Sequence, residues 1–298
     1  MSHDHRHHTS SKKLGLTILL NLGITAAQVI GGILSGSIAL ITDAAHNFSD
    51  VISLVVSYTA NRLAKKRATS DKTFGYKRAE IIAAFINSIS LVLLSLWLII
   101  ESIQRLLDPQ PVEEKTVILL SLIAIAGNGL SVFLLHKQTE NNINLKSAYI
   151  HLLSDLMASA IVLVGGIAIY YFDVYWVDPL LGILISIYLI YIGYELLKES
   201  IQILMLYTPV EISLDKVVSA VEKLRPNTRL HHIHIWKLND TEIHLEAHLD
   251  LKENLSLLEF QELQLQIEQL LCKQFKINHV TIQPEYNRSD EKDLIVQD

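Results

Sequence analysis

His46 and Asp50 stand four residues apart inside residues 38–63, an otherwise apolar run. At 1.5 Å rise per residue, a helix of that length crosses the hydrocarbon of a bilayer. A spacing of four places both side chains on one helical face. The order returns later as His151-Leu152-Leu153-Ser154-Asp155, within a second apolar run over residues 147–172. Ionisable side chains at that depth cost roughly 2.5–3.5 kcal/mol each on insertion scales, so they need partners. Two helices that each offer a histidine and an aspartate supply four ligands around one metal ion. Imidazole nitrogen and carboxylate oxygen in a four-ligand set suit Zn²⁺, which prefers tetrahedral coordination. A lone intramembrane histidine is commonly just a polar contact between helices. Two copies of His-x-x-Ser-Asp, each inside an apolar run, favour a shared ion over coincidence.

The elements that must position these groups are apolar spans at residues 14–34, 38–63, 81–103, 116–135, 147–172 and 179–197. Each is near the roughly 20 residues a membrane helix needs. The chain is 50% hydrophobic with a positive mean hydropathy, more than an ordinary soluble domain shows. Six spans put both termini on one side. Arg62, Lys65, Lys66, Arg67, Lys72, Lys77 and Arg78 crowd the connection between the second and third spans. Lys12 and Lys13 precede the first, and Lys137 and Lys146 lie between the fourth and fifth, whereas the opposite loops are poor in positive charge. Excess positive charge marks the cytoplasmic side, so both termini are expected there. The first apolar run is too long for a cleavable signal and lacks a small-residue cleavage site. A formal net charge of −6 gives no support to nucleic-acid binding. The single cysteine, Cys272, excludes an intrachain disulfide framework and a cysteine-rich zinc site.

Within the spans, Asn21, Thr25, Gln28, Asn87 and Asn128 read as interhelical hydrogen-bonding groups. Asp43, three residues before His46, orients the histidine, lines an access route, or serves a structural role near the helix end. Residues 1–11 carry His3, His5, His7 and His8 and are expected as a disordered tail with weak zinc affinity. After Met205-Leu206-Tyr207-Thr208-Pro209 the composition turns soluble. Ser213 can cap a helix with apolar positions Leu214, Val217, Val218, Val221 and Leu224. Strands follow around Ile233 and Ile235 and over residues 243–251, then an amphipathic helix over 257–275 and a last strand at 280–282. The order αββαβ implies a small α+β domain with helices over one side of a three-stranded sheet. His231, His232, His234, His244, His248 and His279 crowd this domain, and neutral imidazole is a common metal ligand.

The paired motifs His46/Asp50 and His151/Asp155, with Phe74-Gly75-Tyr76-Lys77-Arg78-Ala79-Glu80 between them, resemble the cation diffusion facilitator family of zinc transporters. The resemblance runs over nearly the whole chain. It implies six transmembrane helices, the motifs on the second and fifth, and a cytosolic metallochaperone-like domain. The implied organisation is a tail at 1–11, a transport domain at 12–207, a metal-binding regulatory domain at 208–287 and a flexible tail at 288–298. The implied activity is export of Zn²⁺ from the cytoplasm in exchange for protons, by a homodimer in a bacterial inner membrane. Cd²⁺ and Co²⁺ fit the same ligands. For a cytosolic zinc site the resemblance singles out His231, His248 and Glu285, with His232 as a register alternative to His231. Gln261 and Gln283 stand where some family members place further histidines, which favours a single zinc per protomer. A third site of some members, in the connection between helices two and three, is expected to be absent or feeble. There Asp71 is followed by no histidine.

Two other classes compete. An intramembrane metalloenzyme needs an open metal position and a general base, but the chain has no His-Glu-x-x-His, and two His/Asp pairs fill the sphere. A membrane zinc sensor leaves the buried tetrad without a role.

Overall fold

The computed structural model describes residues 22–136, 143–289 and 291–296. The histidine-rich stretch 1–11 and the start of the first span therefore lie outside the described residues. The apolar helices are α1, described over Leu22–Ser35, α2 (Ile38–Ala64), α3 (Ala79–Leu107), α4 (Glu114–His136), α5 (Ile143–Phe172) and α6 (Val177–Leu204). Four stretches are long and apolar enough to cross a membrane: Ile38–Ala64, Ala79–Leu107, Leu152–Phe172 and Val177–Leu204. The chain is thus a multi-pass helical membrane protein with four clear spans among the described residues.

The chain divides into two compact units. Residues up to 59 and Ala83–Leu197 form one, and Ala60–Ile82 groups with the residues from Lys198 onward. In the first unit, Leu40, Leu91, Val162, Ile169 and Leu189 are buried together, while Trp97, Phe133, Val164 and Tyr171 face outward. That inversion of a soluble protein's pattern suits a lipid surround. Small residues let the helices approach closely. A Cβ on Gly31 would lie 1.8 Å from the Leu120 Cδ1, and one on Gly127 would lie 2.1 Å from Ile24 Cδ1, so both glycines hold α1 against α4.

The start of α2 is fixed from another helix. Gly36 turns the chain with φ +72, and Arg105 Nη1 donates to its carbonyl. The backbone N–H of Ile38 donates to Asp178 Oδ2 at 2.7 Å, and the Ser37 hydroxyl donates to Asp178 Oδ1. The apolar run over residues 179–197 leaves Asp178 just outside the sixth expected span. Asp178 is instead 2% exposed in the first turn of α6 and satisfies the orphan N–H groups of α2.

The soluble unit contains α7 (Leu214–Leu224), β1 (Thr228–Lys237), β2 (Ile243–Leu251), α8 (Leu257–Phe275) and β3 (His279–Tyr286). This is the expected αββαβ order. The sheet runs β1-β2-β3, antiparallel then parallel. Alternation puts Leu230, Ile233, Ile235, Leu245, Leu249 and Ile282 on one face, where Val217, Val221, Phe260, Leu263, Ile267 and Leu271 cover them. Ser256 and Glu259 close a capping box on α8. Ser213 takes the N-cap position of α7 with extended dihedrals, but its side chain makes no capping bond. A bulge between His231 and His234 leaves His232 at φ +47. Beyond β3, where a flexible tail is expected, His232 and Ile233 N–H donate to the carbonyls of Asp293 and Leu294 at 3.0 and 2.9 Å.

Asp178→Ala should lower the thermal midpoint of the detergent-solubilised protein through loss of a helix cap, about 1–2 kcal/mol. Asp178→Asn keeps an acceptor oxygen and should lose less. Equal midpoints for Asp178→Ala and the parent would show that the α2 terminus does not depend on this carboxylate.

Candidate metal centres

Helices α2 and α5 bring three of the four expected membrane ligands together. His46 Nδ1 lies 3.5 Å from Asp50 Oδ2, and His46 Nε2 lies 3.4 Å from Asp155 Oδ1. Ligand atoms of the three residues fall within 4.8 Å of one another. Tetrahedral ligands at zinc bond lengths of 2.0–2.1 Å are separated by about 3.3 Å, so the spacing and donor types fit a dication. Asp155 is 1% exposed and His46 is buried, whereas the Asp50 side chain is 31% exposed. His151 sits in α5 one turn before Asp155, but its side chain lies outside the described residues.

Behind this triad a polar cluster joins three helices. Gln28 Nε2 of α1 donates to Asp43 Oδ2 at 2.6 Å, Ser159 Oγ of α5 donates to the same oxygen at 3.0 Å, and Asn47 Nδ2 donates to Gln28 Oε1 at 3.1 Å. Asp43 and Asn47 flank His46 on α2, and Ser159 follows Asp155 by one turn. The cluster therefore clamps the ligand-bearing turns of α2 and α5. The sequence reading passed over Ser159, although its spacing of four from Asp155 places both on one face.

On the sheet face opposite the helices lies a second group. His231 Nε2 is 3.1 Å from Glu285 Oε2, and His248 Nδ1 is 3.0 Å from Glu285 Oε1. His231 and His248 are direct cross-strand partners, and Glu285 comes from the parallel neighbour β3. These three donors also lie within 4.8 Å of one another, and two imidazoles with a carboxylate are a zinc-type ligand set. His232 stands outside this trio, on the bulge, its ring 4.7 Å from that of His248 and 5.1 Å from that of His234. Two groups invisible to the sequence reading join Glu285: Lys292 Nζ at 2.7 Å and Arg288 Nη1 at 3.1 Å. Asp71, in the connection between α2 and α3, is exposed and pairs with Lys72.

A third histidine group occupies the other end of the same face. His244 and His279 are cross-strand partners with ring centroids 4.4 Å apart; Trp236 stacks on His244 and Phe74 meets its edge. His244 is 5% exposed, and its Nε2 has no hydrogen-bond partner among the described residues. Burial, and then repulsion from His279, hold the His244 pKa below its ordinary value of 6.5; Lys77 adds to the depression and Glu242 opposes it. Lys77 and Glu242 themselves form an ion pair.

Two family patterns match the chain: the cation efflux transmembrane domain over residues 14–205, and the cytoplasmic domain of cation efflux proteins over residues 209–287. The chain is 35% identical to the cadmium, cobalt and zinc/H(+)-K(+) antiporter of Bacillus subtilis, covering 99% of this chain and 96% of that protein. It is 35% identical to the zinc transporter ZitB of Pectobacterium atrosepticum, with 98% and 91% covered. It is 30% identical to the metal cation efflux system protein CzcD of Cupriavidus metallidurans, with 98% and 92% covered.

The depressed His244 pKa makes stability depend on pH with a fixed sign. Below the ordinary value of 6.5 the unfolded chain binds a proton that the folded chain refuses, so unfolding gains ground as pH falls. The stabilisation is present above 6.5 and is lost as pH drops towards the folded value. His244→Phe should flatten this dependence in thermal unfolding between about pH 7.5 and 5.5. The same slope in both proteins would remove His244 as its source.

Proposed function

This chain belongs to the cation diffusion facilitator family of cation efflux proteins, and on that premise we propose that it exports Zn²⁺ from the cytoplasm in exchange for protons. The observation that carries the reading is the convergence of His46, Asp50 and Asp155 from two apolar helices to within 4.8 Å. His151, one turn before Asp155, completes a tetrad. The relatives' names include cadmium and cobalt beside zinc, and the same donors suit all three ions.

Exchange follows from the ligand chemistry. Imidazole and carboxylate must shed protons before they bind metal, so metal and protons compete for the same atoms. Unperturbed imidazole titrates near pH 6.5, within reach of both sides of an energised membrane. The carboxylates of Asp50 and Asp155 offset the dication's charge in a poorly solvated setting. At present the two carboxylates approach opposite nitrogens of the His46 ring, and a bound ion draws them to one. Asp43, held by Gln28 and Ser159, keeps the two helices in register while that happens.

The finer organisation belongs to the same proposal. α1 and α4 join the four clear spans to make six, with both termini cytoplasmic in a bacterial inner membrane. The transport domain ends near 207 and a regulatory domain spans 208–287. There His231, His248 and Glu285 hold one zinc ion, with His232 beside them, and the protein works as a homodimer.

Asp155→Ala and Asp50→Ala should each reduce zinc flux in proteoliposomes by more than tenfold while the protein still elutes as an assembled species. Near-normal flux in either variant would defeat the tetrad. His46→Asp should shift preference towards oxygen-preferring cations such as Mn²⁺, read from a metal panel in the same vesicles. For coupling, an acidic lumen should drive zinc into inside-out vesicles, and an ionophore that collapses the gradient should stop it. Uptake that ignores the collapse, with zinc affinity constant between about pH 6 and 8, would mean uniport.

A further inference from the structure

On the footing that His231, His248 and Glu285 hold zinc as proposed above, we infer that Lys292 is a built-in cation that occupies this site until zinc displaces it. The Lys292 ammonium lies 2.7 Å from Glu285 Oε2 and 3.4 Å from His231 Nε2, two of the three would-be ligand atoms. It is 3.6 Å from Asp250 Oδ1 as well. Its side chain is 19% exposed, so much of its length lies against the protein. Zinc bonds of 2.0–2.2 Å to the same oxygen and nitrogen, made from the side the ammonium holds, would put the ion within about 1.5 Å of it. They exclude each other by volume and by charge.

The segment that carries Lys292 is fastened down. Its next two residues, Asp293 and Leu294, accept hydrogen bonds from the N–H groups of His232 and Ile233 on the free edge of β1. The Leu294 side chain packs against the core of the sheet and helices. Arg288 adds a second positive charge to the other oxygen of Glu285. Glu285 is almost fully buried, and a carboxylate there needs a counter-charge whether or not metal is bound. Arg288 and residues 291–294 thus form a strap that supplies this charge when zinc is scarce and keeps the three ligands assembled. Zinc binding must lift the ammonium away and loosen the strap from β1. The apparent zinc affinity is the intrinsic affinity multiplied by the fraction of molecules with the strap released. The strap therefore sets the zinc level at which the cytosolic unit responds.

The test uses the protein from residue 12 onward in detergent, carrying Asp50→Ala and Asp155→Ala, so that zinc bound elsewhere does not contribute. Zinc affinity is measured by competition with a fluorescent chelator. Lys292→Gln should tighten binding roughly tenfold, the size expected for a strap closed about nine-tenths of the time. Lys292→Arg should match the parent. Leu294→Asn, which loosens the anchor without touching the ammonium, should also tighten binding. In the parent, zinc should speed hydrogen exchange at the His232 and Ile233 amides. If Glu285→Gln loses the ion while Lys292→Gln binds no more tightly than the parent, the strap is wrong and the zinc site stands. Zinc bound with those two amides still protected would overturn the strap in the same way. If Glu285→Gln binds zinc as the parent does, the site itself fails and the strap with it.

Discussion

Carboxylates and imidazoles withdrawn from water must find partners, and this constraint shapes the structure from the membrane to the soluble sheet. In the membrane unit Asp178, Asp43 and Asp155 are buried, and each answers the cost differently. Asp178 accepts from the N-terminus of α2, where the backbone presents unsatisfied N–H groups and the positive end of the helix dipole. Asp43 accepts from Gln28 and Ser159. Asp155 faces the His46 ring across 3.4 Å, a gap that suits two ligands of one ion better than a strong hydrogen bond. The first two carboxylates are structural, and their bonds to α1, α2 and α5 hold the third in place.

The soluble sheet repeats this logic on its uncovered face. One face is dry and packed beneath α7 and α8; the other carries histidines from all three strands. The bulge at His232 lets β1 keep Leu230 and Ile233 in the core while His231 lies opposite His248. Glu285 then sits between the two rings and gathers every nearby cation: Lys292, Arg288 and, in the reading argued above, zinc. At the other end of the face, His244 is buried beside Trp236 and Phe74, where burial and then repulsion from His279 hold its pKa down. Two histidine groups a few residues apart therefore serve opposite ends, one built around negative charge and one shielded from protons.

Much of this was legible in the sequence, because its causes are local. Apolar run length marks a membrane span, and a spacing of four fixes which side chains share a helical face. His46 with Asp50, and the αββαβ order with its alternating strands, follow from those periods. The capping box Ser256/Glu259 is equally local, yet it was recognised only in the structure. What the sequence withheld depends on residues far apart in the chain. The role of Asp178 stayed hidden because its partner is the start of a helix some 140 positions earlier. Ser159 and Gln28 became partners of Asp43 only when α1, α2 and α5 came together. Lys292 read as part of a loose tail, since nothing near it in sequence says that the chain turns back along β1. Composition and periodicity determined which residues had to be buried and on which face. Only the tertiary structure decided which buried charge meets which partner, because electrostatic pairing depends on distance in space and carries no period along the chain.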